Sequence, residues 1–403
     1  MQFFTERKEK MKNESVAVLD IRSSEITFLV GAKGVNDTFV VYGVKSVPYD
    51  GYDAEGFCDE NSLKQAIIAA VDFVRQRYEG TVGKVYVGVP SAFTSVTTRG
   101  HSAAFPSKRK IGAADVAALY DKAFDCILSP RVCIHRSDMY FSLGDNRKYF
   151  GENALYGAYT SSLQGGLCFY FVDEAFYNLL NGALRAAGIE QAEYLPVSLA
   201  QALYLLPQNR REGYAVLLDV GLVSTTLSVV YGNGIVREES YEWGLGYVYA
   251  CLSEKLGVDY ERAAELVSGA NVARGENLDE PLGQTEDGKP YSEKDVNEII
   301  KFALDALCEK VDGFFAKHYR TNAAFIDVNP VAVTGEGIGR IMGELGHIST
   351  RLNRITQMVY PELPYYDKPA FSSRMALLNM AIQQTKTENW VQRILKKFGG
   401  KRQ

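Results

Sequence analysis

Cysteine and histidine are scarce and scattered. The six cysteines (Cys58, Cys126, Cys133, Cys168, Cys251, Cys308) form no C-x-x-C pair, and the four histidines fall in no H-E-x-x-H or comparable spacing. Metal ligation needs clustered donors, and a disulfide framework needs an oxidising compartment besides. No metal site is therefore expected, and the thiols read as free groups in a reducing cytoplasm. Long hydrophobic runs are missing as well. The longest, 214–231, is interrupted by Asp219 and a small-residue turn, short of the roughly 20 apolar residues that a membrane span needs. Residues 1–13 are charged and lack the apolar stretch of a secretory signal. Positive charge is not in excess: the net charge is −5, which gives no reason to expect nucleic acid as a partner. Nucleophile elbows and oxidoreductase fingerprints are also absent, so no catalytic residue is assigned.

What is present is a repeated layout. Val16-Ala-Val-Leu-Asp20 enters a turn and continues as Ile26-Thr-Phe-Leu-Val30-Gly31, and Ala215-Val-Leu-Leu-Asp219 enters a turn and continues as Leu227-Ser-Val-Val-Tyr231-Gly232. Each is a β-rich run ending in aspartate, a tight turn and a second β-rich run, the pattern of a hairpin with an acidic tip. Their separation of about 200 positions points to two related halves. Helical spacing of apolar residues predicts helices over 61–78, 113–124, 175–187, 199–206, 247–256, 260–268 and 292–319, and 85–90 reads as a buried strand. The Gly- and charge-rich stretch 283–290 is expected to be a solvated loop. Strands mixed with helices in this order argue for α/β layers.

Three turns carry small residues whose backbone N–H groups could face an anion. They are Asp20-Ile-Arg22-Ser23-Ser24, Asp219-Val-Gly221-Leu222-Val223-Ser224-Thr225-Thr226, and Thr334-Gly335-Glu336-Gly337. With these turns, the Leu195-Pro-Val-Ser-Leu-Ala200 stretch and the irregular segment between 94 and 165, nearly the whole chain resembles the FtsA family of bacterial actin homologues. The related PilM proteins of pilus assembly share the inserted segment. The resemblance implies an α/β, actin-like fold of two lobes. The first lobe would comprise 13–91, 166–206 and a closing helix at 367–383, with a small α+β module inserted at 92–165. The second lobe would be 212–366, followed by a short linker at 384–389 and a tail at 390–403. It also implies nucleotide-binding positions at Asp20, Ser23, Ser24, Asp219, Gly221, Ser224, Thr225, Gly335 and Gly337, with ATP and Mg as the ligand.

Those loops depart from the family pattern. Arg22 stands where a glycine is expected and takes space that phosphate would need. Glu25 would repel a polyphosphate. Leu222 and Val223 replace glycines, a branched residue being a poor fit to such a turn. Thr226 replaces an acidic residue expected near the metal, Glu336 interrupts a Gly-Gly pair, and helix 260–268 lacks the basic residue that usually faces the adenosine. Together these predict a degenerate site that binds ATP weakly or not at all. A register shift that preserves the pocket, and with it an ATP-controlled polymerising ATPase, is the alternative.

The tail is amphipathic. At about 100° per residue, Trp390, Val391, Ile394, Leu395 and Phe398 span an arc of about 140°, with Arg393, Lys396 and Lys397 on the other side. From 388 onward the chain carries a charge of +4. An apolar face with an aromatic, backed by basic residues, is the pattern of a helix lying in an anionic membrane interface. FtsA proteins carry such a helix here and PilM-like proteins generally do not. The expectation is a peripheral protein on the cytoplasmic face of the cell membrane at the division site, self-associating and recruiting an FtsZ-like protein. A PilM-like adaptor for pilus or secretion machinery is the further alternative.

Overall fold

The computed structural model describes residues 15–36, 38–53, 56–125, 131–145, 147–275, 279–285, 287–319 and 329–399, with side chains up to Lys386. Two five-stranded sheets share one strand order. In the first, β3 (Phe39–Pro48), β2 (Glu25–Lys33), β1 (Val16–Ile21), β4 (Val85–Val89) and β8 (Ala192–Pro196) lie side by side. In the second the order is β11 (Gly234–Tyr241), β10 (Thr225–Tyr231), β9 (Ala215–Val220), β14 (Val331–Thr334) and β15 (Thr356–Met358). Each is an antiparallel meander joined to two parallel strands, so the two halves expected from the hairpins are the two lobes. Register makes the correspondence explicit. Asp20 lies between Thr27 and Gly88, and Asp219 between Thr226 and Thr334.

Helices cover both sheets. In the first lobe α1 (Glu60–Arg75) is started by the Asp59 side chain, which accepts from the Asn61 N–H. It buries Leu63, Ile67, Ala70, Val71 and Val74 against β2 and β3. In the second lobe α7 (Glu293–His318) opens with a Ser292/Asp295 capping box. Its apolar stripe packs with α5 (Leu245–Leu256), α6 (Tyr260–Gly269) and α8 (Glu344–Leu352). The stretch expected as a loop at 283–290 instead contributes to a short hairpin of β12 (Pro281–Gln284) and β13 (Pro290–Ser292), closed by the Thr285–Lys289 turn. Between the lobes runs a third apolar layer built from both sheets, from α4 (Val197–Leu205) and from α9 (Ser372–Gly399). Met375, Ala376, Leu377, Leu378 and Ala381 of α9 are fully buried there.

The inserted module is a three-stranded sheet, β5 (Ser95–Lys110), β7 (Tyr159–Val172) and β6 (Val132–Ser142), with α2 (Ala113–Asp125) packed on one face. β7 runs through the expected boundary at 165–166. The other face docks on the β10–β11 hairpin of the second lobe. Tyr170 Oη accepts from the Ile235 N–H at 3.1 Å, Cys168 Sγ meets Ile235 O at 3.3 Å, and Asn233 Nδ2 donates to Asp138 at 3.3 Å. The module, carried by the first lobe, is thereby pinned to the second. α3 (Glu174–Ala186) completes the first lobe.

The backbone of α9 is one helix through 399, so the expected linker at 384–389 does not interrupt it. No glycine or proline lies between Ser372 and Phe398 to break it. The side chains of Trp390, Val391, Arg393, Ile394, Leu395, Lys396, Lys397 and Phe398 lie outside the described residues, as do residues 400–403. Among the described residues no helix is long and apolar enough to cross a membrane, and Cys58, Cys133, Cys168, Cys251 and Cys308 are free thiols.

At the hairpin tip Gly232 has φ +59°, and a Cβ there would stand 1.7 Å from Met139 O. Gly232→Ala is expected to cost roughly 3 kcal/mol by forcing the module off the second lobe. The measurement is the urea midpoint together with amide exchange at 232–236. Unchanged values would mean the docking tolerates a shift.

Candidate functional site

Parallel strands deliver their carboxyl ends to one edge of a sheet, where α/β proteins place their sites. Here β1, β4 and β8 of one lobe face β9 and β14 of the other across a cleft. Of the positions expected to hold nucleotide, Asp20, Ser23, Asp219, Gly221 and Ser224 line a single cavity there. Ser24, Thr225, Gly335 and Gly337 belong to the adjoining turns but do not line it. The cavity measures about 50 Å³, whereas clefts that bury small-molecule ligands run to roughly 300–1,000 Å³.

Arg22 lines this space and is packed into it. It is 7% exposed, and its Nη1 donates to the Ala370 carbonyl just before α9. Its Nε stands 3.8 Å from Glu336 Oε2 on the opposite lobe. Burial pulls its pKa down, but Glu336, Asp20, Asp219 and Glu25 together outweigh that and hold the guanidinium firmly charged. Asp20 Oδ2 accepts from Ser373 Oγ at 2.6 Å, and Gln201 Nε2 donates to Ser372 Oγ at 3.1 Å. Glu25 is taken up by Arg374 of α9 at 2.5 Å. Burial raises the pKa of Asp219, and Arg22 works against that rise. Asp20 Oδ1, Asp219 Oδ1, Gln201 Oε1 and Thr334 Oγ1 make no hydrogen bond among the described residues.

The glycines of the second and third turns bring loops together. Gly335 has φ +110°, and a Cβ there would lie 2.2 Å from Val220 O. One at Gly337 would lie 2.3 Å from Gly221 O. The Gly337 N–H donates to Val220 O at 2.8 Å. Leu222 and Val223 are not strained, contrary to the expectation for this turn, since neither has a positive φ. The carbonyls of Gly221 and Leu222 accept from the N–H groups of Leu245 and Gly246 at the start of α5, at 3.0 and 2.8 Å, and Leu222 packs on the second-lobe core. Thr225 Oγ1 donates to Trp243 O at 2.6 Å, and Thr226 shares a 2.9 Å hydrogen bond with Ser240. In α6 the guanidinium of Arg262 is held by Glu265 at 2.9 Å and Leu282 O at 3.1 Å.

A magnesium nucleotide does not fit these residues as they stand. Helix N-terminal and turn N–H groups bind anions only when free to point at them. Those of Gly221, Leu245, Gly246 and Gly337 are instead spent on carbonyls. The cation that a triphosphate would meet is already neutralised by carboxylates. Among the described residues no group of three His, Cys, Asp or Glu is arranged to hold a metal ion. Sequence reasoning found both aspartates but missed Gln201, Ser372 and Ser373, whose role comes from the way α4 and α9 enter the cleft; only the serine pair opening α9 signals it in the sequence.

Behind the cavity lies a second carboxylate. Glu238 Oε2 accepts from Ser228 Oγ at 3.2 Å, while its Oε1 makes no hydrogen bond among the described residues. The hydroxyls of Ser91 and Ser198, from the first-lobe side, face it with no cation. Burial pushes its pKa up to about 7.

No known family profile and no curated protein matches the sequence. Solved structures do match in fold. The PilM–PilN type IV pilus biogenesis complex has a TM-score of 0.59 at 14% identity, over 91% of this chain and 98% of that one. MreB5 of Spiroplasma citri bound to ADP has a TM-score of 0.56 at 10% identity, over 93% and 99%. The same protein bound to AMPPNP gives 0.56 at 10%, over 94% and 98%. The fold is actin-like.

Glu238 sets a pH dependence. A carboxyl whose folded pKa is near 7, against an ordinary 4.5, stabilises the fold fully below pH 4.5 and loses that contribution as pH rises through 7. Glu344, also raised to about 7 by burial, acts with the same sign. Thermal stability should therefore fall between pH 5 and 8, by on the order of 3 kcal/mol for Glu238. Glu238→Gln should flatten that part of the curve and raise the Tm at pH 8. A variant that keeps the wild-type slope would show the carboxyl to be solvated.

Proposed function

We propose that this chain is an FtsA-type adaptor whose lobe closure does not depend on nucleotide. It self-associates and holds FtsZ-like filaments and other division components on the cytoplasmic face of the membrane through residues 390–403. The observation that carries the reading is the filled cleft. Arg22, Glu336 and the aspartates leave only about 50 Å³ at the place between the lobes where a nucleotide would sit. An actin-like body that closes without ligand serves as a constant scaffold. Its remaining instruments are its surfaces and its tail.

Membrane attachment is supported by the amphipathic sequence of 390–398 and its basic surplus. Each basic residue near an anionic leaflet adds about 1 kcal/mol, so one tail binds weakly and linked copies bind well. Self-association and the tail thus support one another. The pilus-assembly reading keeps the same body and assigns the tail no role in attachment.

Two measurements test the proposal. Titration calorimetry of the full chain with Mg-ATP should give no heat at millimolar nucleotide. Micromolar binding would overturn nucleotide independence and favour ATP-controlled assembly. The full chain should sediment with vesicles containing anionic lipid and lose at least tenfold in affinity without 390–403. Localisation in cells that survives this deletion would favour the pilus-type adaptor.

A further inference from the structure

We infer that Arg22 is an internal cation that latches the two lobes, taking the part that a bound ligand plays in closing a two-lobed cleft. The inference rests on the nucleotide-independent reading and names what replaces the nucleotide.

Arg22 belongs to the first lobe, following β1, whereas Glu336 and Asp219 belong to the second, following β14 and ending β9. The guanidinium thus faces carboxylates of both half-sites: Asp20 on its own lobe, Asp219 and Glu336 across the cleft. Glu25, the fourth carboxylate nearby, is paired with Arg374, so Arg22 is left to serve the other three. Arg22 is held at three points. The Ala370 carbonyl holds Nη1, the Arg22 N–H donates to Glu25 O at 3.0 Å, and Tyr49 Oη donates to Arg22 O at 2.7 Å.

Arg22, standing where a glycine is expected, and Glu336, interrupting a Gly-Gly pair, are also both charged departures at the cleft, one on each lobe. Either alone would be destabilising: Arg22 would lose a carboxylate partner across the cleft, and Glu336 would add negative charge beside Asp20 and Asp219. Together they make a cross-lobe contact whose members explain each other. Ala370 lies immediately ahead of α9, the helix at the centre of the interlobe layer, so the latch also fixes where that helix begins.

The test compares the full-length wild type with Arg22→Gly, Glu336→Gln and the double variant Arg22→Gly, Glu336→Gly. Small-angle scattering should give the same closed profile for the wild type with and without Mg-ATP. The double variant should have a larger radius of gyration, and amides of β14 and of the first turn of α9 should exchange at least tenfold faster. Arg22→Gly leaves three carboxylates without their cation and should lower the Tm by about 5–10 °C. Should it fail to fold, Glu336→Gln, which keeps the side-chain size, still reports through exchange at β14. Wild-type scattering and exchange in both Glu336→Gln and the double variant would overturn the latch and leave the adaptor reading standing. Micromolar Mg-ATP binding by the wild type would remove the adaptor reading itself.

Discussion

The apolar layer between the two sheets constrains everything else in this molecule. Each sheet is hydrophobic on both faces and needs two covers. The outer covers are helices of the respective lobes, and the inner cover is shared: α9 lies on β1, β2 and β4 of the first sheet and packs on α4, which reaches β10 of the second. Once that layer is filled, the carboxyl ends of the parallel strands must meet along a line. Asp20, Asp219 and Thr334 come together there because of their register, not because of any attraction among them. Two acidic strand ends facing each other across a narrow seam repel, and a cation between them relieves that repulsion. In this chain that cation is covalent.

The charged residues of the cleft turns are paired in three dimensions. Taken singly, Arg22, Glu25 and Glu336 look like damage to an anion site. In space each has a partner: Arg22 faces Glu336, and Glu25 holds Arg374. The glycines of the third turn, Gly335 and Gly337, are needed for backbone-to-backbone contact with the second. A site can thus keep the look of a phosphate-binding loop while its glycines serve loop packing alone.

Much of the architecture was legible in the sequence, because hairpins with aspartate tips and helices of regular apolar spacing are local patterns. The strand ends at Asp20 and Asp219 and the long helix beginning after Ser292 belong to this class. The pairing of Arg22 with Glu336 was not legible, since it joins residues from opposite halves of the chain and follows from the sheet register. Polarity misled at 384–389. A run of glutamine, threonine, lysine, glutamate and asparagine resembles a linker by composition, yet none of the five is a glycine or proline that would stop a helix. The hairpin at 281–292 was hidden for a different reason: strands of four and three residues are too short to show the apolar alternation by which strands are recognised.

The unbroken course of α9 has a mechanical consequence. A tail on a flexible tether would leave the body free to swivel, and its attachment would report nothing about the cleft. Here the same helix that starts at the cleft and fills the interlobe layer runs on as the backbone of the tail, about 40 Å from end to end. Such a helix is a pointer. A tilt of about 10° at its packed end displaces the far end by about 7 Å, so the angle between the lobes and the bearing of the tail are two readings of one rod.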